Sequence, residues 1–84
     1  MYEVILNKDA MRAMDKMPPK ARERAFKLLE RLKKEPQQGK RLHGELEGLL
    51  SLRLGLRRIV YEIDNKQNLI VIHAIGPRGD IYKR

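Results

Sequence analysis

The hydrophobic period of this chain changes from helical to alternating between Pro36 and Leu50. Before the change, apolar residues recur at helical spacing: Ala10, Met11, Met14 and Met17, then Ala21, Ala25, Leu28, Leu29 and Leu32. After it the period is two, with Leu50, Leu52 and Leu54 alternating with Ser51 and Arg53. Side chains return to one direction every 3.6 residues on a helix and every second residue on a strand. A helical first half and a stranded second half can bury their apolar faces by laying the helices on the sheet. The expected fold class is therefore α+β in two layers.

Local punctuation sets the element order. Tyr2, Val4 and Leu6 alternate with Glu3 and Asn7, which predicts a first short strand. A helix is expected from Asp9 until Pro18-Pro19 stops it, and Pro19 suits an early position of the next helix. Arg22, Glu23, Lys27, Arg31 and Lys34 fall opposite the apolar stripe of that second helix, and Pro36 ends it. A polar loop spans residues 37–48. Gly55 marks a turn, Ile59 to Ile63 reads as a strand, and Asp64-Asn65-Lys66-Gln67-Asn68 is a strong turn signal. Leu69 to Ile75 is a nearly all-apolar, central strand, and Ile81-Tyr82 adds a possible last one. The expectation is one domain over residues 1–84. An N-terminal strand and a helical hairpin pack on one face of a mainly antiparallel sheet of 4–5 strands. The other face is left for solvent or a ligand.

Eighty-four residues build only a small core, and without cysteine neither a disulfide nor a thiolate zinc site reinforces it. Absence of cysteine suits a reducing compartment, so the expected location is the cytoplasm. No apolar run approaches the roughly 18 residues of a spanning helix, and the charged start does not read as a signal peptide. No membrane partner is expected. Nineteen Lys and Arg stand against eleven Asp and Glu, a formal charge of +8. Such an excess points to a phosphate-rich partner, RNA foremost, or to an acidic protein. The bland reading is a solvated, charged surface of the kind found in heat-tolerant proteins.

Few residues suit metal or covalent chemistry. His43 and His73 are far apart and lack helical pairing, and His73 in an apolar strand reads as structural. Gly39-Lys40 lacks the rest of a phosphate-binding P-loop. No metal and no cofactor are expected. Arginines of the second half are more suggestive. Arg53 lies opposite Leu50, Leu52 and Leu54, Arg58 opens the next strand, and Arg78 sits between glycines four residues before Tyr82. Arginines fixed on strands and a loop can converge on one phosphate. The alternative for each is an ion pair with Glu45, Glu47, Glu62 or Asp80.

The run Gly48-Leu49-Leu50-Ser51-Leu52-Arg53-Leu54-Gly55-Leu56-Arg57-Arg58-Ile59-Val60-Tyr61 resembles a strand-turn-strand stretch of the RelE/ParE toxin superfamily. Met17-Pro18 with Arg22 is similar to that family's hairpin turn. Pro36, Gly39, Lys40, Leu42 and Gly44 resemble its loop. Gly76-Pro77-Arg78-Gly79-Asp80-Ile81-Tyr82-Lys83-Arg84 resembles its terminal element in the form found in archaeal RelE proteins. The resemblance implies the toxin of a type II toxin–antitoxin system, neutralised by a cognate antitoxin. It implies a metal-independent endoribonuclease that enters the ribosomal A site, cuts messenger RNA and inhibits translation. Relatives of the ParE type poison DNA gyrase instead, and a non-catalytic binding domain is a third reading. Carried over residue by residue, Arg58, Arg78 and Tyr82 take the catalytic roles. Arg53, Lys40, Arg41 and Lys83 take nucleic-acid contacts. Arginine cannot act as a base, so Arg58 and Arg78 are assigned to the phosphate and its transition-state charge. Ser51 stands where many members have a basic residue, Pro77 where some have histidine, and Leu56-Arg57 replaces an acidic–aromatic pair. Lys40, His43, Glu45 and Tyr82 remain as candidates for the general base.

Overall fold

The computed structural model describes residues 1–77. Strand β1 (Glu3–Leu6) leads into helices α1 (Lys8–Lys16) and α2 (Pro19–Lys34), followed by strands β2 (Lys40–Arg41), β3 (Leu49–Leu54), β4 (Arg57–Asp64) and β5 (Leu69–Pro77). They form one sheet in the order β1-β5-β4-β3-β2. β1 runs parallel to β5, and every other pairing is antiparallel. Both helices cover one face, as the change of period requires.

Each helix boundary has a local cause. The Asn7 side chain accepts the Ala10 N–H at 2.9 Å and caps α1, one residue before the expected start. Pro19 opens α2. Arg22 was expected on the polar side of α2, but it is half-buried. Its guanidinium donates to the carbonyls of Met14, Asp15 and Met17 at 3.0–3.1 Å. Met14 and Asp15 lie in the last turn of α1 and Met17 is its C-cap, so Arg22 closes the end of α1 and fixes the hairpin.

Alternation divides the sheet into two faces. Leu50, Ile59, Tyr61, Ile70, Ile72 and Ile75 point to the helices and meet Ala10, Met14, Met17, Ala25, Leu29 and Leu32 in one buried cluster. Val4 and Leu6 pack against it from β1. Ile72 and Ile75, three residues apart, are both buried on this face because the β4–β5 register slips between Val60 and Tyr61. Val60 pairs with Ala74 and Tyr61 with Ile72, so His73 is an extra residue on β5. The apolar run of β5 was expected to be central. It does have neighbours on both sides, though β4 occupies the middle of the sheet. The fifth strand is β2, inside the segment read as a polar loop. The expected strand Ile81-Tyr82 lies outside the described residues.

Tyr61 fixes β2 in place. Its hydroxyl donates to the Pro36 carbonyl and accepts the Gly39 N–H, both at 2.8 Å, from a side chain with no exposed surface. Gly39 has an ordinary φ of −73°, so proximity, not backbone freedom, requires it. A Cβ there would lie 2.5 Å from the Tyr61 hydroxyl and 3.0 Å from the Ser51 carbonyl oxygen.

Two predictions follow from this packing. Gly39→Ala forces Tyr61 or the β3 backbone to shift, and overpacking of this kind costs about 1–3 kcal/mol. Urea denaturation should show the loss, and an unchanged midpoint would refute the close approach. Tyr61→Phe removes a bond from each of two backbone groups, at a cost of about 1–3 kcal/mol where they are buried. Burial raises the Tyr61 pKa above its ordinary 10.0, although the Gly39 N–H opposes the rise. The folded chain therefore holds this proton more tightly than the unfolded chain. The associated stability is complete below about pH 10 and falls as pH rises toward the folded value. The stability gap between the native chain and Tyr61→Phe should accordingly narrow in strong alkali, and a gap independent of pH would contradict this linkage.

Candidate nucleic-acid interface

The face of the sheet away from the helices carries the basic residues. Directly opposite residues share a face. Lys40 opposes Ser51 across β2–β3, Arg53 opposes Arg58 across β3–β4, and Arg58 opposes Gly76 across β4–β5. Lys40, Ser51, Arg53 and Arg58 thus converge on one patch, bordered by Gly76. Arg41 opposes Leu50 and so starts from the other face. It is exposed and reaches Gln37 at 3.5 Å, so the register separates it from the patch. Arg78, Tyr82 and Lys83 lie outside the described residues.

Ser51 orders the patch. It is only 3% exposed, and its Oγ accepts a hydrogen bond from Arg58 Nη1 at 3.1 Å. A neutral hydroxyl here aims the guanidinium without neutralising it. Among the described residues the ion pairs are Lys33–Glu30 and His73–Glu62. Neither Arg53 nor Arg58 takes part, although Glu45, Glu47 and Glu62 were the expected partners within the described range. Val60, buried yet outside the helix-side cluster, lies on this same face between Ser51 and Ala74. An arginine pair without a carboxylate partner among the described residues, with Arg58 held by a neutral hydroxyl, is suited to bind phosphate oxygens in bidentate fashion.

Other candidates are separate from this arrangement. His43 precedes a turn of 3-10 helix at Gly44–Leu46 that contains Glu45, and both residues are exposed. His73 was read as a structural histidine in an apolar strand. It is partly exposed, and its Nε2 lies 2.9 Å from Glu62 Oε1. His73 follows the helix-facing Ile72, and Glu62 follows the helix-facing Tyr61, so both side chains share the outer face. No group of His, Asp and Glu able to hold a metal occurs among the described residues. Among the same residues no helix is long and apolar enough to cross a membrane.

A two-helix hairpin on one face of a five-stranded sheet is the fold of a known group of small toxins. The family model described as the ParE toxin of the type II toxin–antitoxin system parDE matches residues 4–82. The chain is 39% identical over 88 residues to the toxin RelG of Mycobacterium tuberculosis, covering 99% of this chain and 98% of that one. The toxin–antitoxin complex RelBE2 of the same organism superposes with a TM-score of 0.84 at 33% identity, covering 92% of this chain and 98% of that one. The archaeal RelE–RelB complex of Pyrococcus horikoshii gives 0.77 at 27% identity, covering 94% and 97%. The chain belongs to the RelE/ParE superfamily of toxins of type II toxin–antitoxin systems.

The patch carries an internal cost that can be measured. Arg53 and Arg58 stand directly opposite, with Cβ atoms about 5 Å apart, where like charges destabilise a sheet. Arg53→Gln should therefore raise stability by a few tenths of a kcal/mol at low ionic strength, and the gain should vanish near 1 M salt, where the Debye length is about 3 Å. Thermal melts at both salt concentrations check this. Destabilisation at low salt would show that Arg53 has a partner.

Proposed function

We propose that this toxin is a ribosome-dependent, metal-independent endoribonuclease that cuts messenger RNA in the A site and so inhibits translation. The observation that carries the reading is the Arg53–Arg58 pair on the uncovered face, without a carboxylate partner among the described residues and with Arg58 aimed by Ser51.

In RNA cleavage of this type the 2′-oxygen attacks the adjacent phosphorus. A new 2′-O–P bond forms as the bond to the 5′-oxygen breaks, and a cyclic phosphate remains. The 2′-hydroxyl proton must leave, the departing 5′-oxygen must gain one, and negative charge accumulates on the phosphoryl oxygens. Arg58 meets that charge, with Arg53 beside it and Arg78 contributed by the terminal segment. Charge stabilisation of this kind is commonly the largest catalytic contribution. Proton transfer falls to Lys40, which stands opposite Ser51, or to Tyr82, which can also stack on a base. Lys83 of the terminal segment extends the basic track for the RNA backbone, whereas Arg41, on the other face, takes no part in it. The messenger on the ribosome is the substrate. Relatives solved as toxin–antitoxin complexes, together with the +8 charge, support a cognate acidic antitoxin as the partner that silences this toxin in the cytoplasm.

The description of the matching family supports a second reading, a gyrase-directed toxin. Primer extension on a translated messenger separates the two. New 5′ ends within codons support the nuclease, whereas linear DNA accumulating in a gyrase assay supports the alternative. Within the first reading, Arg58→Ala should lower single-turnover cleavage on programmed ribosomes by about 10²–10³. Ribosome affinity should change by only a few-fold, with Lys27→Ala as the neutral control. Equal behaviour of the two variants would reduce Arg58 to a surface charge.

A further inference from the structure

The tip of the β3–β4 hairpin has a composition that neither packing nor the catalytic patch explains. Gly55 turns the chain with φ +61°, and Leu56 beside it is 92% exposed, more than any other large apolar residue described. Four arginines surround it. One cleft beside Leu56 is lined by Arg24 of α2, Arg57, Ala21 and Leu54. Another is lined by Arg53, Arg57 and Arg58. Leu56 and Gly55 border both clefts, so an apolar ridge separates two guanidinium-lined hollows. None of these arginines forms an ion pair among the described residues.

We infer that this tip docks on folded RNA through Leu56, Arg24 and Arg57, while the Arg53–Arg58 hollow on its other side continues into the patch that meets the strand to be cut. The inference rests on the RNA-directed reading above and names a second contact for it. Two positive hollows on either side of an apolar ridge match two rows of phosphates flanking an opened base step. Guanidinium groups bind phosphate oxygens in pairs and stack on base planes. An apolar side chain projecting between them can wedge against unstacked bases, as apolar wedges do in other nucleic-acid complexes. The short hairpin holds Leu56 in position, and docking supplies the apolar contact that the folded monomer lacks. Arg24 comes from the helical layer, so the tip extends the basic surface around the end of the sheet.

The test uses the full chain, ribosomal RNA freed of protein, and intact ribosomes. Leu56→Ser should weaken binding to both by about 5–10-fold while leaving the melting temperature and the salt dependence of binding unchanged. Arg24→Glu should weaken binding and flatten its salt dependence, because each lost phosphate contact releases fewer counterions. Lys66→Glu makes the same charge change in the β4–β5 turn at the other end of the sheet, and should stay within about two-fold of the native chain. Native affinity in Leu56→Ser, or equal losses in Arg24→Glu and Lys66→Glu, overturns the inference. So does a Leu56→Ser defect seen on polyglutamate but not on RNA, which would assign the tip to an acidic protein. Messenger cleavage is scored in parallel. A native chain that binds RNA through the tip yet never cuts refutes the nuclease and leaves the docking intact. A native chain that cuts, beside a Leu56→Ser variant that binds as well, refutes the docking alone.

Discussion

The basic face depends on one buried hydroxyl. β2 contains two residues, Lys40 and Arg41, too few for a strand to hold its place by its own ladder. Tyr61 anchors the chain just ahead of it by bonding Pro36 and Gly39 from inside the core. That anchor sets the register in which Lys40 meets Ser51. Ser51 in turn orients Arg58. The sequence of dependence therefore runs from a core aromatic, through a glycine chosen for its lack of a side chain, to a charged group on the opposite face. A change at Gly39 would reach the arginines without touching them.

The same sheet has to hold its core against charge repulsion on its outer side. Burial of the helix-facing side chains supplies the attractive contribution, at roughly 25 cal/mol per Å² of apolar surface. Arg53 and Arg58 oppose it weakly, through water and salt. A binding face of this kind is tolerable in a small domain because its cost is spread over exposed groups, whereas unpaired charges inside would cost several kcal/mol each. The arrangement also predisposes the molecule to a polyanion, since binding relieves repulsion already present. Arg22 shows the contrast. Its charge is spent on three carbonyls at the end of α1, so it contributes to the hairpin and little to the basic face.

The period of the sequence contained most of the fold. Helical spacing from Ala10 to Leu32 and alternation from Leu50 onward placed both layers correctly, and the prolines at 18, 19 and 36 marked the breaks. The alternation of Leu50, Leu52 and Leu54 also put Arg53 on the correct face. Strand β2 was hidden because two polar residues carry no period. The bulge at His73 was hidden for a related reason: in an all-apolar run such as Leu69 to Ile75, a one-residue slip leaves no trace. Ile72 and Ile75, three apart in a strand, were the available clue. Arg22 was assigned by its helix phase alone, and phase cannot anticipate that a neighbouring helix ends within reach. Ser51 was visible as a departure from the family pattern, but its use as a hydrogen-bond partner for Arg58 needed the cross-strand geometry. The pairing of Arg53 with Arg58 required the register, which the turn at Gly55 sets.

Contacts to phosphate oxygens position a nucleic acid without distinguishing RNA from DNA, so the arginines suit both activities found in this superfamily. What separates them is the 2′-oxygen. An RNA-cutting member must remove its proton and align it with phosphorus, and the permanently charged guanidinium groups cannot accept that proton. On the proposed nuclease reading, the patch supplies half of a catalytic site: it holds the phosphate and stabilises its charge. Lys40 lies on the same described face, and its register opposite Ser51 brings it toward the Arg58 end of the patch. Activity as a nuclease thus turns on proton transfer by Lys40 or by Tyr82 in the terminal segment. On that reading, the same face without such a transfer would bind RNA and leave it intact, and a ribosome that aligned the messenger would reduce how much the protein itself must supply.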